Sequence, residues 1–506
     1  MNLIIVDREV SMRAGWSGRA VPGAAGWWTQ IYRRLVYLVG VVLVVGVGSV
    51  LSAAPDAHAQ GQTYTVATDT TFAPFEFQDK EGNFVGIDMD LIRAIAKDQG
   101  FTVDIKPLGF DAALQAVQAN QVDGVIAGMS ITDERKKVFD FSDPYFESGI
   151  QMAVLKTNND IKSYEDLKGK RVAVKNGTQG SDFANSIKDR YGFEVVSFAD
   201  SSSMFDEVRT GNSDAVFEDY PVLLYGIAQG NGFKTVTPKE DPTGYGFAVN
   251  KGQNAELLSK FNEGLKNLKA SGEYDKIISA YLGEEASTDD NSFFGLIKST
   301  LPLLLEGLKM TVILTVVSIF FALILGVIFG LFRVSRAIWL RAIGTTFVDI
   351  FRGTPLLVQA FFIYFGIPSA LGFQMSALTA GIITLSLNAG AYMTEIVRGG
   401  IQSVDKGQME AARSLGIGYL PTMRKVILPQ AIRTMIPSYI NQFVITLKDT
   451  SILSVIGIAE LTQTGRIIIA GNYQSFNMWL IIGIIYFIVI MALTKLSDRL
   501  EKRLVR

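Results

Sequence analysis

The sequence predicts two folded parts of different class, an α/β part over residues 61–284 and an all-α membrane part over residues 296–506. At 506 residues the chain is too long for a single domain. Residues from about 60 to 290 are mixed and charged, and short apolar runs alternate there with helical patterns. Residues from about 300 to 500 carry long apolar runs instead. We therefore place the boundary near residue 290.

Composition narrows the classes of function. The net charge of −2 and the lack of interleaved basic and aromatic residues give no sign of a nucleic-acid partner. The chain has no cysteine, which excludes disulfides, thiolate chemistry and cysteine metal sites. Its one histidine is His58, so histidine metal clusters and histidine-based catalytic triads are excluded as well. The sequence therefore predicts neither a metal nor a cofactor.

Residues 1–60 have the pattern of an export signal with a long basic leader. Arg33 and Arg34 precede an apolar run over residues 35–51, and Ala57-His58-Ala59 matches a cleavage pattern. An uncleaved membrane anchor stays open as an alternative, since a run of about 17 residues is barely enough to span a bilayer. In both cases the two arginines favour the inside, so the globular part is expected outside the membrane.

Within the α/β part, short apolar runs predict strands at residues 65–67, 122–127, 171–174 and 214–217. Residues 90–99 predict a helix, because Leu91, Ile92 and Ile95 fall on one face at helical spacing. Residues 284–291 (EEASTDDN) form a short acidic stretch, so we predict a linker over residues 285–295 that tethers this part close to the membrane.

Four motifs in the α/β part carry a family resemblance. They are ATDTTFAPFEF at 67–77, ITDERKK at 131–137, FSDPY at 141–145 and AVKNGT at 173–178. Together they resemble the polar amino-acid solute-binding proteins, especially the glutamine-binding members. The resemblance implies a two-lobed clamshell of the type II periplasmic-binding-protein fold. One lobe would be 63–148 plus 250–283 and the other 153–243, with hinge crossings near 149–153 and 244–249.

An amino-acid site needs a cation for the ligand carboxylate and an anion for its ammonium. Arg135 can bind a carboxylate with two parallel N–H···O bonds, and the alternative is a surface ion pair with Asp133 or Glu134. The resemblance assigns the carboxylate to Arg135, helped by Ser130 and Gly128. Asp219, just after a predicted strand, is the candidate for the ammonium.

The same resemblance implies the remaining ligand contacts. Phe72 and Phe110 match an aromatic pair that sandwiches the ligand stem, although single phenylalanines often belong to a core. Asp69 and Lys175 match positions that read a distal amide, and Thr178 lies in the same motif as Lys175. Glu218 stands where the family pattern has histidine, and it would either accept from the amide or face solvent. We expect glutamine as the ligand, with asparagine or glutamate as weaker ones.

The apolar runs of the second part predict five membrane spans, at residues 308–332, 345–368, 375–397, 434–458 and 476–494. Starting outside, they place the three basic segments 333–341, 399–430 and 495–506 inside, as the positive-inside rule requires. Six polar residues within or near spans are candidates for the translocation path, with helix–helix contacts as the alternative. These are Asn388, Glu395, Asn441, Gln442, Lys448 and Asp449.

The inside loop holds EAARSLG at 410–416 and VILP at 426–429. This resembles the EAA loop of ABC importer permeases, a cytoplasmic helix-turn-helix that docks on an ATPase subunit; an ordinary amphipathic loop helix is the alternative. Small Ala411 and Ala412 let a short helix enter a cleft, beside Glu410. Gly416 permits a sharp turn and Pro429 can open the next helix. The motifs at 351–356 and 447–451 extend the permease resemblance over roughly 293–500.

The two parts together predict a subunit of an ATP-driven polar amino-acid importer in the plasma or inner membrane, with the binding domain outside. No Gly-x-x-x-x-Gly-Lys-Ser/Thr sequence occurs, so a separate cytoplasmic ATPase must supply energy, and a two-fold ATPase pair implies a second copy of this chain. The alternatives are a clamshell-gated channel or amino-acid sensor, and an enzyme. A continuous clamshell ahead of all spans argues against a channel, and the membrane part argues against an enzyme.

Overall fold

The computed structural model describes residues 62–79, 82–282 and 293–504. The predicted export signal over residues 1–60 and most of the predicted linker over residues 285–295 lie outside the described residues.

The α/β part contains two large mixed sheets and a small antiparallel sheet of two strands, Phe77–Gln78 and Phe84–Val85. Its strands are β1 (Thr63–Thr68), β2 (Phe77–Gln78), β3 (Phe84–Val85), β4 (Thr102–Pro107), β5 (Gly124–Val125), β6 (Phe139–Phe141), β7 (Phe146–Leu155), β8 (Arg171–Lys175), β9 (Glu194–Phe198), β10 (Ala215–Asp219), β11 (Phe233–Thr235), β12 (Glu240–Tyr245) and β13 (Ala248–Asn250). Its helices are α1 (Ile87–Asp98), α2 (Phe110–Gln118), α3 (Gln179–Tyr191), α4 (Ser201–Arg209), α5 (Tyr220–Ala228), α6 (Ala255–Ser271) and α7 (Glu273–Leu282).

Each of the two large sheets forms the centre of one lobe. The first sheet has the strand order β4-β1-β5-β13-β6, and the second has the order β11-β7-β10-β8-β9 with β12 beside β7. In the first sheet β1 runs parallel to β4 and β5, and in the second β8 runs parallel to β9 and β10. The predicted two-lobed clamshell is confirmed, and the buried Leu91, Ile92 and Ile95 of α1 form part of the first lobe's core.

The chain crosses between the lobes twice. The second crossing falls between β12 and β13, inside the predicted range 244–249. The first falls between β6 and β7 at residues 142–145, so the prediction of 149–153 is wrong. Those residues lie within β7, where Ile150 pairs with Asp219 and Ala153 with Val216. Gly149 there permits close approach of β12, because a Cβ would lie 2.8 Å from the Glu240 carbonyl oxygen.

The membrane part is helical. Its helices are α8 (Phe293–Arg333), α9 (Ile338–Gly353), α10 (Leu356–Phe361), α11 (Ile367–Leu371), α12 (Ala377–Gln402), α13 (Lys406–Ser414), α14 (Tyr419–Thr422), α15 (Leu428–Asp449), α16 (Leu461–Asn472) and α17 (Ser475–Leu504). Wider π-helical turns occupy Phe362–Gly366 and Met423–Ile427, and a 3₁₀ segment occupies Thr450–Ile456.

The structure does not confirm the predicted count of five spans. Within the described residues, two helices are long and apolar enough to cross a membrane, Gly295–Arg333 and Ser475–Lys495. Two bent pairs, Ile338–Gly353 with Leu356–Leu371 and Tyr419–Ile456 with Leu461–Asn472, raise that number to four. The third predicted span corresponds to α12, which lies inside the bundle and carries many small and polar residues on its buried surface.

Helices α8 and α12 pack closely through glycine. A Cβ on Gly326 would lie 2.5 Å from the Cβ of Met393, and one on Gly330 would lie 2.5 Å from the Cβ of Val397. Small residues four apart let two helix backbones approach in this way. The packing of the bundle therefore depends on the missing side chains at these two positions.

We expect Gly326→Leu to destabilise the permease part, because the new side chain forces α8 away from α12 at a cost of about 1–3 kcal/mol or more. The matched control is Gly483→Leu on α17, where nothing lies within 4 Å of an added Cβ. Thermal unfolding of the full chain in detergent is the measurement. Equal melting temperatures for the two variants would show that this packing does not matter.

Candidate functional site

The two lobes meet at a buried ion pair. Asp69 follows β1 of the first lobe, and Lys175 ends β8 of the second. Their side chains are hydrogen-bonded to each other and each is 2% exposed. The Lys175 ammonium also lies 4.9 Å from the ring centre of Phe72 and 5.5 Å from that of Phe110. The structure therefore brings together four residues from three separate segments of the sequence.

Arg135 adds a second link between the lobes. Its guanidinium donates to the Ser130 carbonyl at 2.8 Å and, across the cleft, to the Gly177 carbonyl at 2.7 Å. It also lies 5.4 Å from the ring centre of Phe110. Burial lowers the pKa of this guanidinium.

The surface ion pairs that the sequence left open for Arg135 are not formed. Asp133 pairs with Lys136 at 3.2 Å and Glu134 pairs with Lys137 at 2.5 Å, so both acids have other partners. The Thr132 hydroxyl accepts from the Arg135 backbone N–H at 3.3 Å, at the start of the 3₁₀ turn Arg135–Lys137. Arg135 is thus turned into the cleft.

Gly128 and Thr178 shape the backbone on opposite sides of the cleft. Gly128 has a φ of +52°, and a Cβ there would lie only 2.3 Å from Cε1 of Phe72. Ser130 beside it is buried. The Thr178 hydroxyl donates to the Lys175 carbonyl at 2.8 Å and caps α3 by accepting from Ser181. Thr178 therefore holds the loop after β8, a role that the motif alone did not reveal.

Glu218 and Asp219 form an acidic corner at the end of β10. Glu218 is 2% exposed, so the alternative that it faces solvent is wrong. It accepts from the Ser201 hydroxyl at 3.2 Å and from the Asp219 backbone N–H at 2.9 Å. Asp219 accepts from the hydroxyl of Tyr245.

Burial decides the proton affinity of this corner. Burial and the neighbouring Asp219 raise the pKa of Glu218 to about 7. Burial also raises the pKa of Asp219 to about 6, although Tyr245, Arg135 and Lys175 oppose the rise. Burial lowers the pKa of Lys175, but Asp69 and Glu218 outweigh it and the net change is upward. The cleft therefore holds two cations and more carboxyl groups than these cations can balance.

Behind the cleft lies a second carboxyl pair that sequence reasoning missed. Glu76 and Asp88 are fully buried. Asp88 accepts from the Gly128 N–H at 2.7 Å and from the Tyr145 hydroxyl at 2.8 Å, so it fixes the glycine that contacts Phe72. Helical spacing could have identified it, because Asp88 precedes Leu91 and Ile92 by three and four residues on the apolar face of α1.

Protonation of this pair affects stability. Burial and Asp88 raise the pKa of Glu76 well above its usual range, and burial raises the pKa of Asp88 to about 6. The folded protein therefore holds protons that the unfolded chain releases above about pH 4. The stability that the pair contributes is present at low pH and declines as the pH rises toward the raised values.

We expect Glu76→Gln to change the pH dependence of unfolding, because glutamine cannot ionise. The variant should match the natural chain near pH 4 and melt about 3 °C or more above it at pH 8, the shift that about 1 kcal/mol produces in a domain of this size. Exposed Glu263 supplies the control, Glu263→Gln. The same difference at both pH values would contradict the raised pKa of Glu76.

The EAA-like loop is helical and exposed. Glu410 and Ala411 on α13 are exposed, Ala412 is buried, and Gly416 has a φ of +79° just after the helix. Sequence reasoning missed the exposed apolar side chains beyond it, above all Leu415, which is 81% exposed. Pro429 lies in the first turn of α15, as expected of a proline that opens a helix, although helical backbone already precedes it from Tyr419. A π-helical turn precedes Pro429, whose missing N–H interrupts the regular bonding.

Two polar residues predicted for the translocation path bind other helices. Asn388 donates to the Phe351 carbonyl and to the Gln359 side chain, both at 3.2 Å. Glu395 forms ion pairs with Arg333 at 3.0 Å and Arg398 at 2.7 Å. These contacts support the helix–helix alternative for both residues. Gln442 bonds within its own helix, to Thr446 at 3.4 Å.

Comparison with known proteins assigns both parts to families. Residues 64–284 match bacterial extracellular solute-binding proteins, family 3, and residues 297–506 match the binding-protein-dependent transport system inner membrane component. The glutamine transport system permease protein GlnP of Escherichia coli (strain K12) is 40% identical over 205 residues, 40% of this chain and 94% of that protein. The arginine transport system permease protein ArtQ of Bacillus subtilis (strain 168) is 37% identical over 207 residues, 40% of this chain and 93% of that protein.

Among solved structures, substrate binding domain 2 of Lactococcus lactis GlnP, in an open conformation, is 47% identical. The match covers 46% of this chain and 100% of the chain of that domain, with a TM-score of 0.36. The permease relatives are matched over nearly their whole length, and the solute-binding family precedes them in the same chain. The chain therefore belongs to the binding-protein-dependent transport family, as a polar amino-acid ABC importer in which a family 3 solute-binding domain is joined to an inner-membrane permease.

Proposed function

We propose that the cleft binds L-glutamine and that this chain is the binding and membrane-spanning subunit of a glutamine importer. The observation that carries the proposal is the buried pair of opposite charges, Asp69 and Lys175, beside two aromatic rings. A side-chain amide has both a donor and an acceptor, so it satisfies both members of the pair. A cationic side chain is repelled by Lys175, and a carboxylate by Asp69.

The ligand's main-chain groups take the other charges. Arg135 binds the carboxylate with its two terminal nitrogens, Nη1 and Nη2. In the structure these donate to the carbonyls of Ser130 and Gly177. Asp219 binds the ammonium. Phe72 and Phe110 enclose the aliphatic stem, and Gly128 and Ser130 complete the carboxylate end. Asparagine is one methylene shorter and is expected to bind more weakly, by about 1–3 kcal/mol; glutamate is also expected to be weaker.

L-arginine is the second candidate, and Glu218 favours it. This carboxyl group is buried beside Asp219 and adds negative charge to the cleft. One of the relatives is also named as an arginine transport permease. Titration of the full chain in lipid nanodiscs with L-glutamine and L-arginine separates the two, and tighter binding of arginine or lysine would refute the glutamine proposal while leaving the importer intact.

Lys175→Ala should weaken glutamine binding and relax the exclusion of arginine and lysine, because the ammonium that repels them is gone. Breaking one buried charge pair costs about 3–5 kcal/mol, so the Kd for glutamine rises at least a hundredfold. Calorimetry of the full chain measures both effects. The control is Lys170→Ala at a partly exposed ion pair of the same lobe; equal loss there, or continued rejection of arginine by Lys175→Ala, would contradict the assigned role.

We also infer that a separate cytoplasmic ATPase docks on the loop of α13, and that a second copy of this chain completes a two-fold assembly. The exposed Ala411, Leu415 and Leu420 support docking, since together they offer an apolar surface beside the exposed carboxylate of Glu410. Two ATPase subunits related by a two-fold axis present two equivalent clefts, so two permease loops fill them.

Glu410→Lys should leave ligand binding intact and uncouple transport, because the change lies at the ATPase contact. The measurement is glutamine-stimulated ATP hydrolysis in proteoliposomes that contain the full chain and its co-purifying ATPase. The control reverses an exposed charge on the binding domain, Glu263→Lys. Normal stimulation in the Glu410→Lys variant would exclude this loop as the coupling element.

A further inference from the structure

Helix α16 of the permease contacts both lobes of the binding domain. At its beginning, the Gln463 amide donates to the Thr70 hydroxyl of the first lobe at 3.3 Å, and both side chains are buried. Beyond its end, the hydroxyl of Ser475, the first residue of α17, donates to Asp206 of the second lobe at 2.6 Å. The guanidinium of Arg209, paired with Asp206, lies 5.4 Å from the ring centre of Tyr473.

Each of these contacts involves a residue or a helix that also hydrogen-bonds to a charged group of the cleft. The Thr70 backbone N–H donates to Asp69 at 2.6 Å, so the residue that Gln463 touches also orients one member of the lobe-bridging ion pair. In the second lobe, Asp206 and Ser201 lie on the same helix, α4, and Ser201 donates to Glu218 at 3.2 Å. Both routes lead from the permease to a carboxyl group of the cleft, Asp69 or Glu218.

The helix itself is held firmly within the permease. Glu460 caps its start by accepting from the backbone N–H groups of Thr462 and Gln463 at 3.0 and 2.8 Å. A Cβ on Gly465 would lie 2.0 Å from Ile482 of α17, so the two helices are in tight contact. The 12 residues of α16 correspond to a rod of about 18 Å.

The first lobe makes further hydrogen bonds to the permease, and among the described residues the second lobe has no counterpart to them. Gln121 donates to the Phe373 carbonyl at 3.0 Å and accepts from the Met375 N–H at 2.9 Å, and Gln374 donates to the Asn120 carbonyl at 3.2 Å. The second lobe meets the permease around residues 473–475. Among the described contacts, the first lobe is therefore anchored at several points, whereas the second is held mainly by the turn at residues 473–475 that follows α16.

We propose that α16 and the turn at residues 473–475 that follows it respond to the closure of the cleft: fixed in the permease, this segment contacts Thr70 and the Asp206–Arg209 pair together only when the two lobes stand at this separation. The inference rests on the proposed clamshell receptor role but not on which amino acid binds. Coupling between two sites is reciprocal. If the permease binds the closed receptor more tightly, binding to the permease therefore also shifts the receptor toward the closed state.

The test measures the distance between the lobes in the full chain in nanodiscs, without added ligand. Since the chain has no cysteine, Lys97→Cys on α1 and Asp189→Cys on α3 carry the only spin labels. Gln463→Ala and Ser475→Ala should each lower the ratio of closed to open distances about fivefold, the effect expected for loss of one hydrogen bond. Thr70→Val removes the Gln463 contact from the receptor side and should give the same result without altering the permease.

The matched control is Gln115→Ala, the same substitution at an exposed position of α2. An unchanged ratio in both Gln463→Ala and Thr70→Val overturns the proposal, as does an equal change in the control or an unmutated chain with no closed population. Because no ligand is added, a failure of the glutamine assignment leaves this measurement unaffected. The two proposals can therefore fail separately.

Discussion

The ion pair between Asp69 and Lys175 is the constraint on which the cleft depends. Each side chain is 2% exposed, and a buried charge without a partner costs several kcal/mol. The two residues come from different lobes, so their bond forms only when the two lobes come together. The arrangement of Arg135 follows the same logic, since its guanidinium reaches across to a backbone carbonyl of the second lobe.

The balance of buried charges in the cleft affects the residues around it. The cleft holds three carboxyl groups, Asp69, Glu218 and Asp219, but only two cations, Arg135 and Lys175. Burial raises the pKa of Glu218 to about 7 and that of Asp219 to about 6. The proposed ligand brings one ammonium and one carboxylate, so it leaves the total charge of the cleft unchanged, while its ammonium offsets the negative charge locally at Asp219. The same lobes rest on a permease helix that touches Thr70 beside Asp69, so changes in the cleft and at the membrane surface involve neighbouring residues.

Sequence motifs predicted much of this arrangement, because the residues that meet in the cleft lie inside short recognisable segments. Asp69, Phe72, Arg135 and Lys175 converge as the resemblance implied. Asp88 was missed because its role depends on a tertiary contact with Gly128, which helical periodicity alone only hints at.

Other details depend on context that local sequence does not contain. The first lobe crossing was misplaced, since residues 149–153 are as apolar as a hinge strand but pair fully within the second sheet. The docking of α16 on both lobes joins residues almost 400 positions apart, as with Thr70 and Gln463. No periodicity or motif reports such a contact. Helix α12 is less apolar than the span predicted at this place in the sequence. A helix buried among other helices has small and polar residues on its contact surface.

The most direct test of the charge balance is proton exchange on binding. Glutamine titrated into the full chain at pH 6.5, by calorimetry in two buffers of different ionisation enthalpy, reports the protons exchanged. An ammonium placed at Asp219 lowers the pKa of both carboxyl groups, which are partly protonated at that pH. We predict release of up to about one proton per ligand, absent in Asp219→Asn if that variant still binds. Binding without proton release, or with proton uptake, would contradict this account of the cleft.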